Sequence, residues 1–188
     1  MKKELKLTYN SPVVLSFLII SFVMLIANYF TGGMCNKLFS SNATLLNPLS
    51  YIRLITYVFC HSGWEHFFGN MLLFVLIGPL LEEKYGSKEL AVMMLLTSLL
   101  TGIINGIFFP NVAIVGASGI IFMFIVLSSF TSFQNREIPL TFIVILLMYV
   151  GNEIIDGVIS DDNISQFAHI LGGVFGIIFG FLERYSKK

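Results

Sequence analysis

Residues 12–30 read PVVLSFLIISFVMLIANYF, a charge-free apolar run opened by Ser11-Pro12 and preceded by Lys2, Lys3 and Lys6. A stretch of about 18 apolar residues is what a helix needs to cross the hydrocarbon core of a bilayer. Met1-Lys2-Lys3 ahead of such a run has the charge pattern of a secretory signal, but no Ala-x-Ala-like site closes it. It is also the first of several such runs, so a retained span is expected. Ser11 is placed to cap it, with Pro12 at the first helical position, where its missing N–H costs nothing.

Working outward, five more apolar runs follow, and six spans are expected at about 13–30, 66–81, 90–109, 115–133, 138–156 and 164–182. The chain of 188 residues is 56% hydrophobic and 12% charged. Soluble domains carry roughly 25% charged residues, which excludes that class. The expectation is an all-α membrane protein, one domain over residues 1–188 with a short cytoplasmic N-terminus at 1–11. Pro139 marks another helix start, and Tyr51, Tyr57 and Trp64 lie near span ends, where amphipathic rings favour the headgroup level.

Basic residues set the orientation. With the N-terminus inside, Lys2, Lys3, Lys6, Lys84, Lys88, Arg136, Arg184, Lys187 and Lys188 are cytoplasmic, and only Lys37 and Arg53 are external. Nine against two is a strong positive-inside bias, and it puts both termini in the cytoplasm of a multi-pass protein of the cell membrane. Residues 31–65 form a long external connection with too many apolar side chains for a solvated loop. Helical turns partly embedded in the outer leaflet are expected there. Cys35 and Cys60 both fall in this connection, and the sequence does not establish whether they meet.

Polar residues within spans are costly, so each needs a reason. Three groups stand out toward the outer span ends: His61 to His66 with Asn70, Gly116-Ala117-Ser118-Gly119, and His169 followed by Gly172 and Gly176. His66 and Asn70 are four apart and share a helical face. His169, Gly172, Gly176 and Gly180 also share one, and small residues let a neighbouring backbone approach. Gly116 and Gly119 leave the Ser118 hydroxyl accessible, and a serine becomes a good nucleophile when a base such as histidine takes its proton. The plain alternatives are an N-cap role for Ser118, a bundle hydrogen bond for His169, and a helix end fixed by Glu82 and Gly86. Zinc binding by His61, His66 and His169 lacks the usual ligand spacing, so no metal and no cofactor is expected.

These motifs, in this order, resemble the rhomboid family of intramembrane serine proteases. The resemblance runs from about residue 50 to 180, through Arg53 to Thr56, His61, His66-x-x-x-Asn70, Gly78 to Gly86, Gly116-x-Ser118-Gly119, and His169-x-x-Gly172-x-x-x-Gly176. It implies a six-helix bundle with a membrane-embedded first external loop, in which Arg53 matches an arginine of that loop. It also implies a Ser118–His169 dyad, an oxyanion site of His66, Asn70 and the Ser118 backbone N–H, and Phe122 stacked on the imidazole. The substrates implied are single-span transmembrane proteins within the lipid bilayer, with no role for nucleic acid. Ile52 stands where the family has tryptophan, and Phe122-Met123-Phe124 replaces a smaller residue. An inactive relative that only binds transmembrane helices is the alternative, and the presence of all four reactive side chains argues against it. A channel would require paired charges near the midplane, which these spans lack.

Overall fold

The computed structural model describes residues 8–41, 48–110, 112–130 and 163–186, with positions 140, 143, 144, 147 and 148. The longer helices are α1 (Pro12–Phe30), α4 (Trp64–Tyr85), α5 (Ser87–Phe108), α6 (Ser118–Ser129) and α7 (Asn163–Ser186). Between α1 and α4 lie α2 (Met34–Phe39), α3 (Pro48–Thr56) and a 3₁₀ turn at Tyr57–Phe59. Among the described residues the only β pairing is an isolated antiparallel bridge between Ser41 and Ile114.

α1, α4 and α5 are each long and apolar enough to cross a membrane. At 1.5 Å per residue, 22-residue α4 and α5 extend about 33 Å, the thickness of a bilayer core. α6 and the apolar part of α7, Gln166–Leu182, are shorter. Large apolar side chains such as Ile19, Phe22, Leu72, Leu76 and Leu182 are exposed on these helices. Water would not tolerate such a continuous apolar surface, and hydrocarbon does.

Burial patterns arrange the helices. α1 buries a single stripe, Val14, Phe17, Ser21 and Leu25. α6 is buried nearly all round, as suits a central helix. Its main neighbour is α7, followed by α4. The Phe124 ring of α6 stacks on Phe74 of α4 at 5.1 Å, and Phe74 in turn stacks on Phe17 of α1 at 4.5 Å. An aromatic column thus joins α6, α4 and α1.

Several expectations need correction. The run at 66–81 is the middle of a longer helix that begins at Trp64. The helix expected from residue 115 starts at Ser118, because Gly116 takes a φ of +110° that no α-helix accommodates. Ser11 does not cap α1 with its side chain. Instead the Val13 and Val14 N–H groups donate to the two carboxylate oxygens of Glu82, each at 3.0 Å. A carboxylate there also complements the positive end of the helix dipole. Glu82 does fix a helix end, that of α1, and Gly86 makes the α4–α5 turn at φ +89°. The run at 138–156 lies outside the described residues, apart from positions 140, 143, 144, 147 and 148, which are helical.

The apolar connection at 31–65 contains helical turns as expected. Arg53 Nε donates to the Leu38 carbonyl at 2.7 Å, and Thr56 Oγ1 donates to the Phe39 carbonyl at 3.1 Å. α3 therefore satisfies backbone acceptors at the end of α2. That gives Arg53 a structural role within this segment.

Candidate active site

α4, α6 and α7 begin at the same end of the bundle, and the candidate residues sit near those starts. His66 is the third residue of α4, Ser118 the first of α6, and His169 lies about 9 Å along α7 from its start. The chain reaches Ser118 through residues 112–117, held by two backbone hydrogen bonds between Ser41 and Ile114 and by Gly116 N–H donating to the Tyr57 carbonyl at 3.0 Å. Ala117 is the residue that caps α6, which removes the capping role considered for Ser118.

A cavity of about 360 Å³ opens here, with His66, Gly116, Ser118, Gly119 and Ala168 in its wall, and Ser62, Tyr57 and Thr101 around them. Its walls mix apolar and polar groups, as a site that orients a substrate requires. Asn70 and His169 stand beside this wall. Asn70 lies behind Gly116, and His169 follows Ala168.

Gly116 explains how His66 and Asn70 come to the turn that leads into Ser118. A Cβ on Gly116 would lie 2.7 Å from His66 Nε2 and 3.4 Å from Asn70 Nδ2. The absent side chain is therefore the space against which both nitrogens pack. On the far side of the imidazole, the Ser62 hydroxyl lies 2.9 Å from Nδ1 and the Ser62 N–H approaches it at 3.5 Å. An N–H can only donate, so Nδ1 accepts and the imidazole proton belongs on Nε2. Asn70 Nδ2 is buried and has no hydrogen-bond partner among the described residues. Two N–H donors thus face the same small space beside Gly116.

His169 is set by α6. Its ring stacks on Phe122 with centroids 4.3 Å apart and planes within 8°. Beside it, a Cβ on Gly119 would meet the Ala168 carbonyl at 3.4 Å, while a Cβ on Gly172 would overlap the Gly119 carbonyl oxygen. Gly176 repeats the contact one turn on, where a Cβ would lie 2.7 Å from the Met123 carbonyl. The glycine face of α7 lets it lie on the α6 backbone, with Ser118 and His169 at the start of the contact.

His61 is fully buried behind His66, with ring centroids 5.1 Å apart. Its Nδ1–H donates to the Phe59 carbonyl at 3.3 Å, and its own carbonyl accepts from Asn36 Nδ2 at 2.8 Å. Burial first, and the neighbouring His66 second, push the His61 imidazole down to about 4, against the opposing effect of the Phe59 hydrogen bond. A neutral His61 is therefore part of the folded state at neutral pH.

Sequence reasoning gives Ser62 no role and sets Tyr57 at the headgroup level, whereas the Tyr57 ring is buried and its hydroxyl donates to the Ser98 carbonyl at 3.2 Å. Ser62 stands four residues before His66, a spacing that would have suggested a contact within one turn. Tyr57 contributes a backbone carbonyl to Gly116, and no local pattern signals that long-range bond.

Residues 48–186 match the Rhomboid domain family. The chain belongs to the rhomboid family. Among rhomboid relatives it is 29% identical over 143 residues to Rhomboid-related protein 1 of Caenorhabditis elegans, covering 71% of this chain and 40% of that protein. It is 28% identical to RHOMBOID-like protein 2 of Arabidopsis thaliana, covering 69% and 41%. The Rhomboid protease GlpG of Haemophilus influenzae is 23% identical over 139 residues, with 72% and 71% covered. The chain thus spans about two fifths of the first two relatives and most of the third. Rhomboid membership and the exposed apolar helices make it an integral membrane protein.

Proposed function

We propose that the chain is an intramembrane serine endopeptidase that cuts transmembrane segments of other membrane proteins near their outer ends. The observation that carries this reading is the convergence on Gly116. The His66 Nε2 and Asn70 Nδ2 donors meet there, two residues before the half-buried Ser118 that opens α6. Family membership and the similarity to a protein named as a rhomboid protease support it.

In this mechanism the Ser118 hydroxyl attacks the scissile carbonyl carbon while the His169 imidazole takes its proton. The carbonyl oxygen becomes an oxyanion, stabilised by N–H donors from His66, Asn70 and the Ser118 backbone. Each donor of this kind contributes roughly 10²–10³ in rate. Collapse of the tetrahedral species expels the amine, which takes the proton back from His169. Water then hydrolyses the acyl-enzyme by the same steps. A dyad neutral at rest avoids burying an ion pair, the less costly arrangement at low dielectric.

The proposed setting is a six-span bundle with both termini cytoplasmic and the site toward the external face of the cell membrane. The residue 31–65 segment would lie partly in the outer leaflet, and Arg53 would hold it together. The substrates are single-span proteins that reach the site through the bilayer. The test is incubation of purified protein with a model single-span substrate, with labelling by a serine-directed phosphonate or isocoumarin. The wild type should cleave and be labelled, whereas Ser118→Ala and His169→Ala should remain folded and do neither. Substantial turnover by either variant would exclude the dyad. An unlabelled, inactive wild type would favour a helix-binding role.

A further inference from the structure

Hydrogen bonds within the first external segment join residues that flank its two cysteines, which lie on separate elements. Cys35 is the second residue of α2, and Cys60 follows the 3₁₀ turn. Two hydrogen bonds bracket them. Asn36, next to Cys35, donates from Nδ2 to the carbonyl of His61, next to Cys60, at 2.8 Å. Thr56, one turn before Cys60, donates to the carbonyl of Phe39, one turn after Cys35, at 3.1 Å. The Cys60 thiol itself points back at the Thr56 carbonyl, 3.8 Å away. The Cys35 sulfur lies 3.6 Å from the Thr31 hydroxyl, which itself donates to the Ala27 carbonyl at 2.7 Å.

We infer that Cys35 and Cys60 form an intramolecular disulfide that fastens α2 to the segment carrying His61. Both are free thiols in this structure, Cys60 fully buried and Cys35 partly exposed. Burial pushes the Cys60 thiol up to about 12, and the nearness of Cys35 adds to the rise. Cys35 is therefore the sulfur that a disulfide-bearing oxidant meets first. Its thiolate attacks the donor disulfide, forms a mixed disulfide and releases one donor thiol. The Cys60 thiolate then attacks the Cys35 sulfur, closes the bridge and releases the second donor thiol. Two protein thiols are oxidised and one donor disulfide is reduced, with the protein's two protons passing to the donor. The high thiol pKa makes the second step slow, and burial then shields the finished bond from reductants.

The bond would close a loop that holds α3 and the 3₁₀ turn, and would tie α2 to the backbone that supports His61 and His66. The experiment uses the whole purified chain in detergent, reduced or incubated with oxidised glutathione. After denaturation, free thiols are counted by a maleimide-polymer gel shift, and non-reduced peptides are mapped by mass spectrometry. Expected results are joint loss of both thiols, a Cys35–Cys60 linked peptide from monomeric protein, and a rise in Tm of roughly 5–10 °C reversed by strong reductant. Cys35→Ala should keep an unmodified Cys60 and show no Tm rise. A stable glutathione adduct on Cys35 with Cys60 still free would overturn the proposal. So would a disulfide found only between two copies. None of these readouts depends on peptidase activity, so failure here is distinct from failure of the proposed function.

Discussion

Gly116 answers to two requirements at once: a φ of +110° and a neighbouring imidazole where its Cβ would be. Gly116→Ala should therefore displace His66 and lower cleavage by about 10²-fold or more, the loss typical of an oxyanion donor. Gly69→Ala is the control, because a Cβ there meets nothing within 4 Å, and it should leave the rate unchanged. His66→Ala and Asn70→Ala should each lower kcat more than they change KM, measured by steady-state cleavage of the single-span substrate. His61 predicts a pH effect. Its folded pKa of about 4 lies below the ordinary value of 6.5, so the unfolded chain binds more protons between these values. Its contribution to stability is present above pH 6.5 and is lost as pH falls to 4. Thermal unfolding should show Tm dropping over that window, and His61→Gln should flatten the drop. At this scale the sequence was most informative where spacing is local, as in the shared face of His66 and Asn70. Ser62 and Tyr57 act through a tautomer and a long-range carbonyl, which spacing alone does not display.

At the scale of elements, two contacts govern how the helices meet. The buried Glu82 carboxylate receives the Val13 and Val14 N–H groups and the Ser87 hydroxyl, the last at 2.7 Å. It joins the start of α1, the end of α4 and the start of α5. Glu82→Ala leaves donors unpaired, at about 1–3 kcal/mol for each buried group. A clear drop in Tm is expected, and Glu82→Gln, which keeps one acceptor, should lose less. The glycine face of α7 sets the second contact. Gly172→Val would force α7 away from the Gly119 carbonyl, and with it His169 from Ser118. Activity should vanish, and phosphonate labelling should vanish with it. The apolar runs made most helices legible from hydropathy alone. The true cap of α1 was not legible, since Ser11 matched a local capping pattern while its replacement stood about seventy residues away. The start of α6 moved for a similar reason, because a backbone turn at Gly116 interrupts an apolar run that hydropathy reads as continuous.

At the scale of the whole molecule, the proposed peptidase role constrains the substrate. The described helix starts of α4, α6 and α7 gather at one end, and the proposed orientation puts that end outside. A peptide bond inside a regular helix is a poor target, because its carbonyl is hydrogen-bonded and packed beneath side chains. A substrate must therefore unwind near its outer end before Ser118 can reach it. A small side chain is expected at the scissile position, beside the close-set backbone of Gly116 and Gly119. Glycine or proline just below that position eases unwinding, since a helix interior disfavours them by roughly 1 and 3 kcal/mol relative to alanine. Replacing those substrate residues by leucine should slow cleavage strongly, and a bulky residue at the cleaved position should block it. Product masses should place the cut toward the extracytoplasmic end of the substrate span. Faster cleavage of an all-leucine helix would overturn the unwinding step, and a dominant cut at the cytoplasmic end would overturn the orientation.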